Sequence, residues 1–384
     1  MTYRVAYATG SRADYGIVRN YLKYLNEDEN IDLEVLVTGS LLEKQYGNSF
    51  HIIEEDGFQI VLKVPLFLDS SKNSKIMKSM AIALDEFGKY FEDNKYDLLI
   101  ILGDRYEMLS VAIAAAMNKI PILHIHGGEI TLGNYDEFIR HSITKMSHYH
   151  FTSTEEYRKR VIQLGENPQN VFNIGAMGSE NCKNIDMKNV SKEITSFPVK
   201  GYFVVLFHPE TLTQTKPIEQ IKILLESIKH YTNKYQFIFI GSNADTGSDE
   251  IRGAIRKFVE FHRMTKYFEN LHPDEYHYLV KNSIALIGNS SSGIIEAPTL
   301  GAYTINIGDR QKGRVRGNSV FDVDCQKESI KSSVDQVIDL ELKDLYNPYY
   351  QENSSSLAYS YTKKLLKFKL EIKQFYNLFR NDKT

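Results

Sequence analysis

Short apolar runs alternate with helix-like segments along most of this chain. The runs at 98–102 and 122–125 are apolar almost throughout, which is typical of strands buried on both faces of a sheet. Between such runs lie segments, for example 155–164, whose apolar residues recur every three to four positions. Alternation of this kind predicts parallel strands joined by crossover helices, and therefore a doubly wound α/β fold.

The same pattern predicts the individual elements. The predicted strands are 3–9, 33–38, 58–64, 98–102, 122–125, 149–153, 202–207, 237–240, 267–270, 284–287 and 303–307. The predicted helices are 15–25, 41–55, 75–91, 105–117, 137–147, 155–164, 217–231, 249–262, 274–282 and 292–300. The tail from 355 to 379 is predicted to be one long amphipathic helix. Its packing face is formed by Leu357, Tyr361, Leu365, Phe368, Leu370, Phe375 and Leu378.

The alternation is interrupted at a polar stretch, 183–200, and then restarts. A chain of 384 residues is longer than one ordinary domain of about 100–200 residues. We therefore expect a Rossmann-like domain at 1–182, a linker at 183–200 and a second Rossmann-like domain at 201–354. A C-terminal helix at 355–384 is expected to cross back to the first domain. Two such domains with a cleft between them describe the GT-B fold of nucleotide-sugar enzymes.

Composition argues against several kinds of partner. The formal net charge is −3 and no block rich in Lys and Arg stands out, so nucleic acid is not expected. Cys182 and Cys325 lack metal-ligand spacing, which argues against structural zinc and for a reducing compartment. No signal peptide and no apolar run of about 18 residues is visible. We expect a cytoplasmic protein with no membrane partner.

Titratable side chains gather where two strands of the first half end. The strand 98–102 runs into Gly103-Asp104-Arg105, and the strand 122–125 runs into His126-Gly127-Gly128-Glu129. Ligands of open α/β sheets bind at the carboxyl ends of strands. The alternative, that a given charge only caps a helix or faces solvent, stays open for each residue. As a set, these side chains are expected to converge on one sheet edge: Asp104, Arg105, His126, Glu129, Asp136 and Arg140.

The turn after the first strand, Ser11-Arg12-Ala13-Asp14-Tyr15-Gly16, is a candidate anion site. Gly10 and the following helix start offer backbone N–H groups to an anion. The turn lacks the GxGxxG pattern, so it carries no dinucleotide fingerprint. The alternative is a plain βα turn with Asp14 near the helix N-terminus.

The segment Gly288-Asn289-Ser290-Ser291-Ser292-Gly293 is a candidate phosphate site, because it follows a strand and opens a helix. Glu296, one turn on, can accept hydrogen bonds from two vicinal hydroxyls such as those of ribose. A Ser-rich N-cap is the alternative. Three serines flanked by glycines, with an acid downstream, favour phosphate binding.

Further candidates follow other strands of the second half. The loop 308–317 carries Arg310, Arg314 and Arg316, which suit a diphosphate or a base edge unless the loop is merely solvated. His208-Pro209-Glu210 and the segment 241–247 also end strands, and the alternative for both is an ordinary surface. We expect the second domain to hold a nucleotide diphosphate and the first to carry acids and bases.

Taken in order, the motifs resemble those of the hydrolysing UDP-N-acetylglucosamine 2-epimerases, bacterial enzymes that make N-acetylmannosamine for sialic acid capsules. The motifs are SRADYG, GDRYE, HIHGGE, YDEFIRHSITKMSH, FHPET, GSNADTGSD, IGNSSSGIIE and INIGDRQKGRVRG. The resemblance extends from residue 3 to about residue 350. It implies a GT-B fold, no cofactor and no metal. It also implies anti elimination of UDP to 2-acetamidoglucal, followed by hydration.

The resemblance implies roles for individual residues. Asp104 and Asp136 match catalytic carboxylates, and Leu271 lies where the family's backbone contacts uracil. UDP is expected to be held by Arg12, Arg105, His208, Asn243, Ser290, Ser291, Glu296 and Arg310. Together with the residues proposed from strand ends, the catalytic candidates are Asp104, His126, Glu129, Asp136 and His208. Arg140, Ser292 and Arg314 complete the binding candidates.

The sequence departs from the family pattern at two positions. Several relatives have glutamate where this chain has His126, so the acid/base role falls to His126 or to Glu129. Gly16 replaces a serine of the relatives, so that contact is lost or becomes a backbone contact.

Other functions stay open at this level. The alternatives are a GT-B glycosyltransferase, a non-hydrolysing epimerase, a relative acting on a 2,4-diacetamido-2,4,6-trideoxy sugar for legionaminate, and a UDP-sugar-binding regulator. The motifs around HGGE and NSSSG favour hydrolysis over the non-hydrolysing reaction. A homo-oligomer, either a dimer or a tetramer, is implied by the family.

Overall fold

Two parallel β-sheets, one of seven strands and one of six, organise the chain. The computed structural model describes residues 2–44, 47–69, 72–131, 135–210, 215–242, 247–341, 344–368, 370 and 372–378. Most of the helices lie in the connections between successive parallel strands. The predicted fold class, two Rossmann-like doubly wound domains of the GT-B type, is confirmed.

The strand bounds follow the apolar runs closely. The first sheet contains β1 (Tyr3–Thr9), β2 (Ile31–Thr38), β3 (Gln59–Val64), β4 (Leu98–Leu102), β5 (Ile122–Ile125), β6 (Tyr149–Thr152) and β7 (Val171–Asn173). The second contains β8 (Tyr202–Leu206), β9 (Gln236–Ile240), β10 (Thr265–Phe268), β11 (Ala285–Gly288), β12 (Tyr303–Ile307) and β13 (Val320–Val323). The strand orders are β3-β2-β1-β4-β5-β6-β7 and β10-β9-β8-β11-β12-β13.

Most of the helices connect these strands, and the last two follow β13. They are α1 (Arg12–Asn26), α2 (His51–Glu55), α3 (Asn73–Asp93), α4 (Tyr106–Met117), α5 (Asp136–Met146), α6 (Glu155–Gln163), α7 (Met177–Asn181), α8 (Lys192–Thr195), α9 (Pro217–Ile228), α10 (Ser248–Phe261), α11 (Pro273–Asn282), α12 (Ser292–Ile295), α13 (Lys327–Ile338) and α14 (Ser354–Lys367). In the part of the chain that the structure describes, none of these helices is long and apolar enough to cross a membrane.

The chain forms two compact units. The first comprises Met1–Glu129, Asp136–Met177 and Gln351–Thr384, and the second comprises Ile130–Tyr135 and Gly178–Tyr350. Residues 183–200 belong to the second unit, where Ile194 is buried in a core cluster. In the first unit α14 packs against α1, and the Tyr21 hydroxyl lies 2.7 Å from Oγ1 of Thr362.

Each sheet reverses its strand order once, and the carboxyl ends of the two strands flanking that point are neighbours. In the first unit these strands are β1 and β4, and in the second they are β8 and β11. Such a switch point is where ligands bind in open α/β sheets. The sheet positions are buried because both faces are covered. In the second unit, for example, Val204 belongs to one core cluster and Val205 to another.

Three predicted helices are wrong in extent, and the one at 292–300 is limited to α12 (Ser292–Ile295). Within the predicted helix at 41–55, the α-helix is limited to α2. Gly47 and Asn48 precede α2 with left-handed φ values of 87° and 46°, which an α-helix does not accommodate. The tail helix ends at Lys367, because the apolar repeat beyond it does not face a core. Phe375, for example, is 70% exposed. The segment 372–378 has no helical structure, and the Tyr376 backbone N–H donates to Gly165 O at 2.8 Å.

Candidate active site

Asp104 and Arg140 form an ion pair at the carboxyl end of β4. Gly103, with φ of 80°, turns the chain out of the strand, so Asp104 lies beyond the sheet edge. Arg140 projects from α5 and is 1% exposed. Its Nη1 donates to the backbone carbonyl of Glu129 at 2.9 Å. One buried guanidinium therefore ties the end of β4 to the segment after β5.

His126 and Glu129 lie together after β5. His126 has φ of 67°, a left-handed conformation that re-aims the chain directly after the strand. Its Nδ1 lies 3.7 Å from Oε1 of Glu129. The same Oε1 accepts a hydrogen bond from the Ser153 hydroxyl at 2.7 Å, and Glu129 is 2% exposed. Either side chain of this pair can serve acid/base chemistry, so the alternative between His126 and Glu129 stays open.

His124, on β5 itself, links the end of β4 to α5. Its Nε2 lies 2.8 Å from the carbonyl oxygen of Gly103, and its Nδ1 lies 3.0 Å from Oγ1 of Thr144 on α5. Because a carbonyl only accepts, Nε2 carries the proton and Nδ1 accepts from the hydroxyl. Burial lowers the pKa of His124 to about 3, so the ring is neutral at physiological pH. A Cβ at Gly127 would lie 3.0 Å from Oγ1 of Thr144 and 3.1 Å from Nδ1 of His124, so glycine leaves room for this pair.

Two acids near Arg105 were not singled out by the sequence. Glu107 is fully buried and pairs with the Arg105 guanidinium, and Asp14 adds to the negative field that raises the pKa of Arg105. Gly10 permits this arrangement, since a Cβ there would lie 2.6 Å from Glu107 Oε1. Burial raises the pKa of Asp14 to about 6, against the opposing effect of Arg105 and the Ser11 hydrogen bond. The available signal was the position of both acids inside the SRADYG and GDRYE motifs.

Arg12 and Asp136 open helices of the first unit. Arg12 is the first residue of α1, which is capped by the Ser11 side chain accepting from Asp14 N at 3.1 Å. Burial lowers the pKa of Arg12 from its ordinary value. Asp136 is the first residue of α5 and is half-buried. The helix dipole favours a negative charge at this position.

In the second unit His208 and Asn289 join the ends of β8 and β11. The Asn289 side chain accepts from His208 N at 2.7 Å and donates to His208 O at 2.9 Å. Burial, followed by the nearby Arg310 charge, lowers the pKa of His208 well below its ordinary range. His208 is therefore a neutral, fixed group at neutral pH.

The serine segment after β11 differs from the predicted long helix. The helix α12 spans only Ser292–Ile295, and the Ser291 side chain makes no capping hydrogen bond. The Ser290 and Ser292 hydroxyl oxygens lie 3.4 Å apart, and Ser292 also contacts the Tyr276 hydroxyl. The N-cap explanation of these serines therefore fails for Ser291, while their hydroxyls remain clustered.

The remaining binding candidates are dispersed over the second unit. Glu296 follows α12, with its Oε2 3.6 Å from Nε2 of His277. Leu271 is half-buried and packs on a core cluster. Arg310 donates to Asn289 O at 3.1 Å, while Arg314 is half-buried in the same loop. Asn243 lies outside the described residues.

Arg316 has a structural partner, because its Nε lies 2.6 Å from Oδ2 of Asp322. In the loop 308–317, Arg310 therefore contacts Asn289 at the end of β11, whereas Arg316 pairs with Asp322. Within the described ranges, no group of three His, Cys, Asp or Glu side chains is arranged to hold a metal ion. The two units thus carry different chemistry: clustered acids and neutral histidines in the first, and hydroxyls with an arginine in the second.

Both the sequence and the fold are similar to those of known proteins. Residues 23–362 match the family described as UDP-N-acetylglucosamine 2-epimerase. The chain is 48% identical over 382 residues to the polysialic acid biosynthesis protein P7 of Escherichia coli, covering 98% of this chain and 97% of that protein. It is 39% identical over 323 residues to the GDP/UDP-N,N'-diacetylbacillosamine 2-epimerase (hydrolyzing) of Campylobacter jejuni, with coverage of 83% and 84%.

The fold is similar to a crystal structure of UDP-GlcNAc 2-epimerase from Neisseria meningitidis bound to UDP-GlcNAc. The TM-score is 0.78 at 18% identity, and the match covers 94% of this chain and 100% of that one. At this level of identity the likeness concerns the fold alone.

Proposed function

This chain belongs to the UDP-N-acetylglucosamine 2-epimerase family, and we propose that it is a hydrolysing member. The proposed reaction converts UDP-N-acetylglucosamine and water to N-acetylmannosamine and UDP, and supplies sialic acid (capsule) biosynthesis. The observation that carries the proposal is the buried Arg140, which holds the Asp104 carboxylate and the Glu129 backbone in one cluster. Such a cluster of acids suits proton transfer to and from a sugar ring.

The chemistry of the first step explains why carboxylates are needed together with arginine and N–H donors. The C2 proton of the sugar is not next to a carbonyl and is therefore poorly acidic. Cleavage of the C1–O bond must therefore be more advanced than removal of the C2 proton. Positive charge then develops at C1, and negative charge develops on the departing diphosphate. A carboxylate near C1 stabilises the first charge, and arginine and N–H donors stabilise the second. A base then removes H2, which completes the elimination to 2-acetamidoglucal.

Roles follow for named residues. Asp104 and Asp136 are the proposed carboxylates of the elimination, and His126 or Glu129 provides the acid/base group for the addition of water. His208, the serines at 290–292 and Arg310 are the proposed ligands of the diphosphate, and Arg12 and Arg105 are further proposed ligands of UDP. Glu296 is proposed to accept hydrogen bonds from the ribose hydroxyls. In the second step water adds to the glycal, with its hydroxyl going to C1 and a proton to C2.

The experiment that tests the proposal is proton NMR of the purified protein with UDP-N-acetylglucosamine in D₂O, with EDTA and without any acceptor. Free UDP and N-acetylmannosamine carrying deuterium at C2 are expected. UDP-N-acetylmannosamine with the nucleotide still attached would mean that the protein is a non-hydrolysing epimerase. Turnover that begins only after an acceptor sugar is added would instead indicate a glycosyltransferase.

A second candidate substrate is a UDP-2,4-diacetamido-2,4,6-trideoxy sugar of the legionaminate pathway. It is favoured by the 39% identity to the Campylobacter jejuni enzyme, whose name gives diacetylbacillosamine as the substrate. The same NMR experiment with that sugar separates the two proposals. Faster turnover of the trideoxy sugar than of UDP-N-acetylglucosamine would make it the substrate.

The protein is further proposed to be cytoplasmic and to form a dimer or a tetramer. Light scattering of the purified protein tests the oligomeric state, and a monomer at micromolar concentration would contradict it.

A further inference from the structure

Glu210 is a buried carboxylate that none of the expected site roles uses. It lies beyond the end of β8, two residues after His208, and is 5% exposed. Its Oε1 accepts hydrogen bonds from the backbone N–H groups of Asp309, at 3.0 Å, and Arg310, at 3.1 Å. Its Oε2 accepts from Nε2 of Gln220 at 3.4 Å. A buried carboxylate costs free energy unless it is hydrogen-bonded, and these donors offset that cost.

Gly308 shapes the turn that receives this carboxylate. Its φ is 78°, and a Cβ at this position would lie 2.4 Å from Oε1 of Glu210. The left-handed glycine thus lets two successive N–H groups point at one oxygen, as in a backbone anion-binding nest. The Glu210 side chain thus fixes the start of the 308–317 loop to the end of β8.

Arg310, whose backbone is held in this way, has a guanidinium suited to an external anion. Its Nη1 donates to Asn289 O at 3.1 Å, and Gln311 Nε2 donates to the same oxygen at 2.9 Å. Nε of Arg310 is buried and has no hydrogen-bond partner among the described residues. No carboxylate in the described part of the chain lies within ion-pair distance of this guanidinium. A cation that is tied only to a carbonyl still has donors for an anionic ligand.

We infer that Glu210 is a positioning residue that fixes Arg310 for binding the diphosphate of the substrate. The inference rests on the proposed function, because that function makes Arg310 a diphosphate ligand. Glu210 acts through hydrogen-bond acceptance rather than through contact with the substrate. Glutamine at this position retains an acceptor for the two N–H groups, and the Gln220 amide can turn to face the new amide. Alanine removes the acceptor and releases the turn.

Titration calorimetry with UDP tests this inference on the full-length wild type, E210A, E210Q, R310A and the double variant E210A/R310A. We expect E210A to bind UDP about tenfold more weakly, and E210Q to stay within about threefold of the wild type. We expect E210A/R310A to bind no more weakly than R310A alone, because Glu210 then has nothing left to position. A merely structural role would weaken binding equally in both backgrounds. Glu260→Ala, a surface change on α10, is the matched control and should leave the affinity unchanged.

The outcomes separate this inference from the proposed function. Wild-type protein that binds no UDP would overturn the proposed function and this inference with it. Wild-type binding with unchanged affinity in E210A would overturn the inference alone, as would losses that multiply in the double variant. Should E210A fail to fold, E210D serves in the same cycle, because its shorter carboxylate reaches the turn less well. Full UDP affinity in E210D would then overturn the inference, and so would a loss in E210D/R310A relative to R310A that is as large as the loss in E210D relative to the wild type.

Discussion

The guanidinium of Arg140 and the carboxylate of Asp104 form an ion pair whose two sides differ in exposure. The Arg140 side chain is 1% exposed, whereas that of Asp104 is 22% exposed. Removing one partner of a buried pair leaves an uncompensated charge and costs about 3–5 kcal/mol. The pair therefore anchors Asp104 from its buried side and leaves part of the carboxylate accessible. A group with that combination is fixed in position and can still reach a substrate.

Asp104→Asn tests whether this carboxylate performs proton transfer or charge stabilisation. The asparagine oxygen still accepts from Arg140, and Oε2 of Glu137 lies 3.8 Å from Nη1 of Arg140, so the buried charge keeps a partner and we expect the fold to be retained. Turnover of UDP-N-acetylglucosamine should fall about 100-fold or more, because the amide is neither a base nor an anion. UDP affinity should change less than about threefold. UDP release and calorimetry measure the two effects. Asp93→Asn, a surface change at the end of α3, is the control, and a variant Asp104→Asn with near-wild-type turnover would remove Asp104 from the mechanism.

Glu296→Ala should weaken UDP binding. The carboxylate lies directly after α12 and has only His277 within ion-pair distance among the described side chains, at 3.6 Å. The loss of hydrogen bonds to two ribose hydroxyls is expected to weaken affinity about tenfold. Ser290→Ala should have a smaller effect in the same direction, since it removes one neutral donor. Calorimetry with UDP measures both, with Glu250→Ala on α10 as control. Unchanged affinity in both variants would move the nucleotide site elsewhere.

Much of the fold was predictable because buried parallel strands form short, mostly apolar runs. Leu98–Leu102 and Tyr303–Ile307 were predicted with their observed bounds for this reason. The edge strands Val171–Asn173 and Val320–Val323 were missed. They are short, and their side chains are largely half-buried, so their sequences carry little periodic signal.

The proximity of some candidate residues was predictable because they follow neighbouring strand ends in sequence. Asp104 and Glu129 lie in the segments that follow β4 and β5, and Arg140 contacts the Asp104 carboxylate and the Glu129 backbone carbonyl. Glu107 shows where such reasoning stops. Its local sequence indicates only an acid in the first turn of a helix, and its burial depends on Gly10, which is distant in the chain. That proximity follows from the pairing of β1 with β4, which a single sequence does not show.

Asp14→Asn should stabilise the protein at pH 7 and have little effect at pH 4. Burial raises the pKa of Asp14 to about 6 in the folded state, above its ordinary value of 3.8. The stability that this group contributes is therefore fully present below about pH 3.8 and is lost as the pH rises through 6. The neutral amide avoids that loss, so we expect a gain of about 1 kcal/mol or more at pH 7. Urea unfolding at both pH values measures it.

The control for this prediction is Asp32→Asn, which changes an exposed carboxyl on β2. Equal effects of Asp14→Asn at pH 4 and pH 7 would show that the Asp14 carboxyl does not titrate between them.

Glu166→Gln should destabilise the protein at neutral pH and flatten its acid unfolding. The Glu166 side chain is 4% exposed and pairs with Lys145 at 2.5 Å, with Lys373 of the tail, and with His150 at 3.0 Å. Burial alone would raise its pKa, but these hydrogen bonds lower the pKa to about 2. The folded pKa is therefore depressed, so the stability is present above the ordinary value of 4.5 and is lost as the pH falls towards 2.

Urea unfolding between pH 7 and pH 2 measures this contribution, with Glu92→Gln on α3 as the surface control. In the wild type the free energy of unfolding should fall below pH 4.5, by up to about 1.4 kcal/mol per pH unit from this group. Glu166→Gln should lack that part of the slope. Lys373→Met should shift the same window while leaving Lys145 and His150 in place, because it removes only the tail ammonium. If the wild type and Glu166→Gln lost stability in parallel over this range, the loss of stability at low pH would have to come from other carboxylates. The charge on Glu166 would then not hold the tail.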